Sequence, residues 1–286
     1  MYGNMQKISV IVINWNVSDS FERCIKSILE TKYPDLELIL IDNDSHKKPK
    51  IPQDPRVTYI QNKSNIGFPA AVNQGLKLFV GDYVLLLNPD TKLPKDFFET
   101  AIKFIECHPQ AGVMGPKFES EGSVFPEPSI VNTISEYWFG HKGLTEKYTP
   151  DKVSSVNAVS GACMFMPRKV VEKVGLFTDQ VFMYYEDLDY CRRLRKLGYK
   201  VMFNPEIQIF HEHGQSAKQT SQDKYRNFLE ILAYPFRKIL KFPNTLLSTQ
   251  RYRTEAGIWY NGWLKQLIMA FIIWSSERVN KKLSKS

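Results

Sequence analysis

Short apolar runs that stop abruptly on polar residues constrain this chain more than any other feature. "ISVIVI" (8–13), "LELILI" (36–41), "VTYI" (57–60) and "DYVLLLN" (82–88) read as strands. Between them lie helical patterns. After Asp19-x-x-Glu22, which resembles a capping box, Phe21, Cys24, Ile25, Ile28 and Leu29 recur at helical spacing. A second helix is expected over 68–80, and a third from Pro94 to about Glu106. The strands are continuously apolar rather than alternating, so both their faces must be buried. That predicts an α/β fold with a mainly parallel sheet flanked by helices. Ligands in such sheets bind beyond the carboxyl ends of the strands. Three of the runs end there in polar residues, "NWN" (14–16), "DND" (42–44) and "NPD" (88–90). Each could be a turn, but three at one sheet edge point to a site.

The pattern weakens over 117–157, which reads as a long loop or lid that helps select an acceptor. In "NAVSGACMFMPRKVVEKVGLF" (157–177) a strand gives way to a helix at Pro167. "YYEDLDYCRRLRKLGY" (184–199) is a helix closed by Gly198, and "KVMFNP" (200–205) returns as a strand. The expected organisation is a catalytic domain over 1–216 and a helical extension over 217–286.

The extension stands apart in charge. Residues 1–214 hold 25 Lys and Arg against 26 Asp and Glu, whereas 215–286 hold 13 against 4. "YRNFLEILAYPFRKILKF" (225–242) carries one apolar face flanked by cations, and "GIWYNGWLKQLIMAFIIW" (257–274) is apolar with three tryptophans. Two readings fit: a helical extension packed on the catalytic domain or on a second subunit in a homodimer, or a peripheral anchor on an anionic membrane surface. Nucleic acid is not expected, because aromatic and basic residues do not interleave on a recognisable module. No stretch of eighteen uninterrupted apolar residues supports a spanning helix, and the run after Lys7 is too short for a secretory leader. Cys24, Cys107, Cys163 and Cys191 form no CxxC pair, and three of the four fall inside apolar patterns. They read as reduced residues of a cytoplasmic protein.

Glu186, Asp187 and Asp189 crowd the first turn of the helix at 184–199. Acids there complement the helix dipole, worth roughly 0.3–1 kcal/mol each. Three in four residues exceed that role, and like charges so close raise one another's pKa, as a general base requires. The pattern alone leaves both readings open. Asp90 likewise suits a turn after Pro89, or a hard oxygen ligand for Mg2+ or Mn2+. "HEHGQS" (211–216) offers a second metal contact and is not a zinc-protease motif.

Taken together, "VIVINWN" (10–16), "LILIDNDS" (38–45), "NIGFPAAVNQG" (65–75), "LLLNPDT" (85–91), "SGACMFMPRKVVEKVGLF" (160–177), "FMYYEDLDYCRRLRKLGY" (182–199) and "HEHGQS" (211–216) resemble, in order, the family 2 glycosyltransferases. The likeness is to their rhamnosyltransferase-like branch, of GT-A (Rossmann-like) fold. It implies transfer of a sugar from a nucleoside-diphosphate sugar, dTDP-rhamnose or a UDP-sugar, to a glycan or lipid-linked glycan acceptor with inversion. Asn14, Asn16 and Asp42 would line the nucleoside pocket. Asn65 and Gly67 would let the backbone approach the donor. Asn88 and Asp90 occupy the two acidic positions of the family's DxD motif, so Asp90 alone supplies charge to the metal, with His211 as a further contact. Asp187 would be the general base and Glu186 would assist acceptor binding. The enzyme would work in the cytoplasm, at the inner face of the cell membrane.

Two other classes compete. A sugar nucleotidyltransferase would need a glycine-rich phosphate loop after the first strand, yet no glycine occurs between Gly3 and Gly67. A catalytically inactive membrane-associated scaffold would be expected to lose the acids, and Asp42, Asp90, Glu186 and Asp187 are all present.

Overall fold

Each apolar run forms a strand because its alternate residues feed two different cores. In β1 (Ile8–Asn14), Ile8, Val10 and Val12 join one apolar cluster, and Ile11 and Ile13 join the other. The same division holds in β2 (Leu36–Asp42) and in β4 (Tyr83–Leu87), with β3 (Val57–Gln61) between them in the chain. Helix α1 (Ser18–Glu30) covers the first face, and α2 (Phe68–Leu76) covers the second. The chain continues through β5 (Thr91–Lys92), α3 (Phe97–Cys107), β6 (Ala111–Phe118) and β7 (Val124–Phe125). After β8 (Ser154–Val156), β9 (Ala158–Val159) and β10 (Cys163–Pro167) come α4 (Arg168–Val174), α5 (Glu186–Lys196) and β11 (Lys200–His211).

This computed structural model describes residues 6–119, 122–125, 147–179, 182–183 and 186–212. The extension at 217–286, His213 and much of the loop at 117–157 lie outside them. Among the described residues one sheet runs β3-β2-β1-β4-β10-β6-β11-β5, with β8 also paired to β11. Strands β3, β2, β1 and β4 are mutually parallel, as the continuous apolar runs require. Beyond them β10 runs antiparallel to both β4 and β6, while β11 lies parallel to β6. Cys24, Cys163 and Cys191 are buried and Cys107 is exposed, all as free thiols.

Several local expectations shift. Helix α1 has Val17 as its N-cap with no side-chain cap, so the capping box does not form. Instead Asp19 pairs with Lys47 at 3.8 Å, and Glu22 accepts the Lys50 amide. Helix α2 ends at Leu76 rather than residue 80, and α3 begins at Phe97 rather than Pro94. Strand β6 was not foreseen, and its end occupies the start of the expected loop at 117. Gly112, Gly115 and Pro116 interrupt its apolar pattern. The glycines are there because α5 and β9 press on that strand. A Cβ on Gly112 would meet Leu194 at 2.8 Å, and one on Gly115 would meet Val159 at 2.6 Å. Strand β11 also runs six residues past Pro205, which carries His211 to the strand's end.

Candidate active site

The carboxyl ends of β2, β1 and β4 stand side by side. Asn14 and Asp42 are direct partners in the β1–β2 register, and both are fully buried. Ser45, the last residue of the 38–45 motif and assigned no role there, knits them together. Its amide donates to Asp42 Oδ1 at 2.8 Å, while its hydroxyl accepts from Asn14 Nδ2 and from the Asn16 amide. Asn16 has a φ of 58°, a left-handed conformation that asparagine tolerates, and its Oδ1 accepts the His46 amide. Tyr59 donates to Asp42 Oδ2 at 3.4 Å, and burial beside that carboxylate pushes the phenol up to about 12. Asn14 Oδ1 is a buried acceptor with no hydrogen-bond partner among the described residues.

Asn65 and Gly67 form the next wall through a network of side-chain amides. Asn65 Oδ1 accepts from Asn43 Nδ2 at 2.7 Å and from the Gly67 amide at 3.0 Å. Asn43 Oδ1 in turn accepts from Asn62 and from the Ile66 amide. Gly67 has a φ of 90°, and a Cβ there would lie 2.8 Å from the Phe182 carbonyl oxygen. The backbone at Gly67 lies against that of residue 182, reinforced by the Phe68 amide donating to the same carbonyl.

Asp90 follows β4 in a turn closed by the Thr91 hydroxyl donating to the Asn88 carbonyl at 2.7 Å. The turn is stitched on both sides: the Asn88 amide donates to Ala162 O, and the Glu212 amide donates to Asp90 O. Because β5 pairs with β11, His211 stands opposite Thr91. Its Nε2 lies 3.1 Å from Asp90 Oδ1, with both side chains buried. The contact is close without being an aligned hydrogen bond, since Oδ1 has no such partner among the described residues. Two donors bound at about 2.1 Å on adjacent corners of an octahedral ion stand about 3 Å apart, so the pair fits a hard divalent cation. No group of three or more acidic, His or Cys ligands occurs among the described residues. A bound diphosphate and water could supply further ligands.

The acids at the start of α5 divide by partner. Asp189 is held by Arg193 at 2.8 Å and serves the helix. Asp187 accepts the Gly161 amide at 3.0 Å and the Leu188 amide at 2.8 Å. Burial raises its pKa, and those amides and the Lys147 charge oppose the rise. Glu186 Oε2 has no hydrogen-bond partner among the described residues, and burial followed by the neighbouring Asp187 charge pushes Glu186 up to about 8. Pushed up to about 8, Glu186 holds its proton at neutral pH, while the raised Asp187 carboxyl keeps two amide donors. Lys147 was not foreseen. It reaches this position beside β7, where it lies 4.9 Å from the Phe125 ring and Tyr148 bridges to Val124.

The two halves meet on one stretch of backbone. Ala162 O holds the Asn88 amide and the Gly161 amide holds Asp187, so consecutive residues tie the Asp90 turn to the acidic helix. The model of glycosyl transferase family 2 matches residues 9–175, which span β1 to α4. The chain belongs to glycosyl transferase family 2. Among relatives of this family 2 chain is the N-acetylglucosaminyl-diphospho-decaprenol L-rhamnosyltransferase of Mycobacterium tuberculosis. The two are 25% identical, over 73% of this chain and 77% of that protein. The low-salt glycan biosynthesis hexosyltransferase Agl10 of Haloferax volcanii is 24% identical, over 91% and 84%. The fold is GT-A. GalNAc-T7, crystallised with UDP, GalNAc and Mn2+, superposes with a TM-score of 0.59 at 15% identity, covering 73% of this chain and 43% of its own. The mannosyltransferase PcManGT of Pyrobaculum calidifontis, in complex with GDP-Man and Mn2+, gives 0.56 at 17% identity, over 81% and 64%. The family 2 chain thus spans less than two thirds of either solved chain.

Proposed function

We propose that this protein transfers a sugar from a nucleoside-diphosphate sugar to a glycan or lipid-linked glycan acceptor, with inversion and with a divalent cation. The observation that carries the reading is the shared backbone at 160–162. Its Gly161 amide donates to the buried Asp187 carboxyl, and its Ala162 carbonyl accepts the amide of Asn88, in the turn that sets Asp90 3.1 Å from His211. Asp42, with Asn14 and Asn16, would bind the nucleoside. Asn65 and Gly67 would let the backbone approach the donor, and Asn88 would face it from the turn that presents Asp90.

Asp90 and His211 would hold Mg2+ or Mn2+. A cation bound there would offset charge growing on the departing diphosphate. Asp187 would take the proton of the acceptor hydroxyl as its oxygen bonds to the anomeric carbon and the bond to the diphosphate oxygen breaks. Neutral Glu186 is left free to donate a hydrogen bond to the acceptor rather than repel it. The crystallised neighbours that contain Mn2+ support the metal, and the mycobacterial relative's name supports a lipid-linked acceptor. The rhamnosyltransferase-like sequence favours dTDP-rhamnose or a UDP-sugar as donor.

We also assign residues 217–286 to an extension that brings the enzyme to the inner face of the cell membrane, where a lipid-linked acceptor would lie. The concentration of basic charge in that region supports it. The central reading is tested by thermal shift with UDP, dTDP and GDP, with and without Mn2+, on wild type and Asp90→Ala. One nucleotide should stabilise the wild type in a metal-dependent way that the variant loses. If no nucleotide stabilises the folded wild type with Mn2+ present, the donor site is refuted.

A further inference from the structure

Glu212 follows the proposed metal contact His211 and is held from three directions. Its amide donates to the main-chain oxygen of Asp90 at 2.9 Å. Its carboxylate accepts from the Ser20 hydroxyl and from Arg23 Nη2, the latter at 2.5 Å, and Arg23 also donates to Ser20 at 2.8 Å. Ser20 and Arg23 belong to α1, so this residue joins a helix, the end of β11 and the Asp90 turn. The three side chains line a cavity of about 520 Å3 together with Asp90, Thr91 and Lys92. Ser20 is buried even though Arg23 beside it is mostly exposed. The local physics gives the arrangement a purpose. His211 and Asp90 come from segments more than a hundred residues apart, and the strand that pairs with His211 beside Asp90, β5, is two residues long. Such a short ladder frays easily without an outside support.

We propose that Glu212 is a positioning residue for the cation, with Ser20 and Arg23 as its anchors. The carboxylate is turned onto α1 and so braces the strand end that carries His211. The inference rests on the reading of Asp90 and His211 as metal ligands. Groups that orient ligands typically carry a 10–100-fold effect on metal affinity.

The test is an electron paramagnetic resonance titration of Mn2+ into the full-length protein with saturating UDP, dTDP or GDP. Glu212→Ala should weaken Mn2+ binding tenfold or more, while nucleotide binding without metal stays within twofold. Arg23→Ala should weaken it as well, and the Arg23→Ala/Glu212→Ala double variant should lose little more than Glu212→Ala, because the pair acts as a unit. Glu212→Gln, which keeps an acceptor for α1, should recover part of the affinity and serves if the alanine variant does not fold. Wild-type affinity in folded Glu212→Ala or Glu212→Gln, with binding lost in Asp90→Ala, would overturn this inference alone. Binding unchanged in Asp90→Ala, or no binding by the wild type with any of the three nucleotides, would overturn the metal reading and this inference with it.

Discussion

At the scale of single residues, two adjacent carboxyls are driven apart by their surroundings. Asp187 has two amide donors and the field of Lys147, whereas Glu186 has its own amide alone and an unpartnered Oε2 among the described residues. If Asp187 is the base, Asp187→Asn should lower kcat by about 10²–10⁴ with little change in the donor KM. Steady-state kinetics at saturating acceptor measures this, and an unchanged kcat would remove Asp187 from the role. Glu186 makes a separate prediction about stability. Its folded pKa of about 8 lies above the ordinary value of 4.5. Its contribution to stability is therefore complete below about pH 4.5 and is lost as pH rises through about 8. Glu186→Gln cannot ionise, so raising the pH from 5.5 to 9 should shift the stability difference toward the variant by roughly 2–4 kcal/mol. Urea midpoints at the two pH values decide it, and a constant difference would contradict the raised pKa.

At the scale of elements, β6 shows how packing overrides local signals. A strand containing two glycines and a proline forms because its neighbours leave no room for anything larger, not because the residues favour extension. Gly115→Ala would place a methyl 2.6 Å from the Val159 side chain, in the two-stranded ribbon that β9 makes with β7. It should destabilise the protein by about 1–3 kcal/mol. The expected sign is a lower urea midpoint with an unchanged denaturant slope, and a stabilised variant would mean that β9 yields without strain. Since Lys147 and Tyr148 sit against β7, the same variant should also disturb the base side of the site before the donor side. Asp90 and His211 depend on β4, β5 and β11 instead, none of which pairs with β7 or β9.

At the scale of the whole molecule, charge is the organising observation. The chain's formal net charge of +8 hides a nearly neutral first 214 residues and a strongly basic remainder. Among the described residues no helix is long and apolar enough to cross a membrane. If the extension works as a peripheral anchor, the full-length protein should sediment with vesicles containing anionic lipid and not with purely zwitterionic ones. Raising salt from 0.1 to 0.5 M should release most of it, because the Debye length shortens from about 10 Å toward 4 Å. Equal binding to both vesicle types, or none, would redirect the extension toward a subunit contact.

The sequence by itself determined the parallel half of the sheet. Burial on both faces leaves a continuous apolar run that no other element of that length explains, and "NWN", "DND" and "NPD" mark where those strands stop. Asn14, Asp42 and Asp90 were legible for that reason, and Asp187 was legible as one of a crowded set. Tertiary structure alone decided which acid in that set is anchored, since Gly161 donates to Asp187 from another element and Arg193 claims Asp189. It also recruited Ser45, Asn43, Lys147 and Glu212, whose partners lie up to 192 positions away. A pattern of local spacing carries no record of contacts at such separations. Those of Glu212 exist only once β11 has returned to the Asp90 turn and to α1.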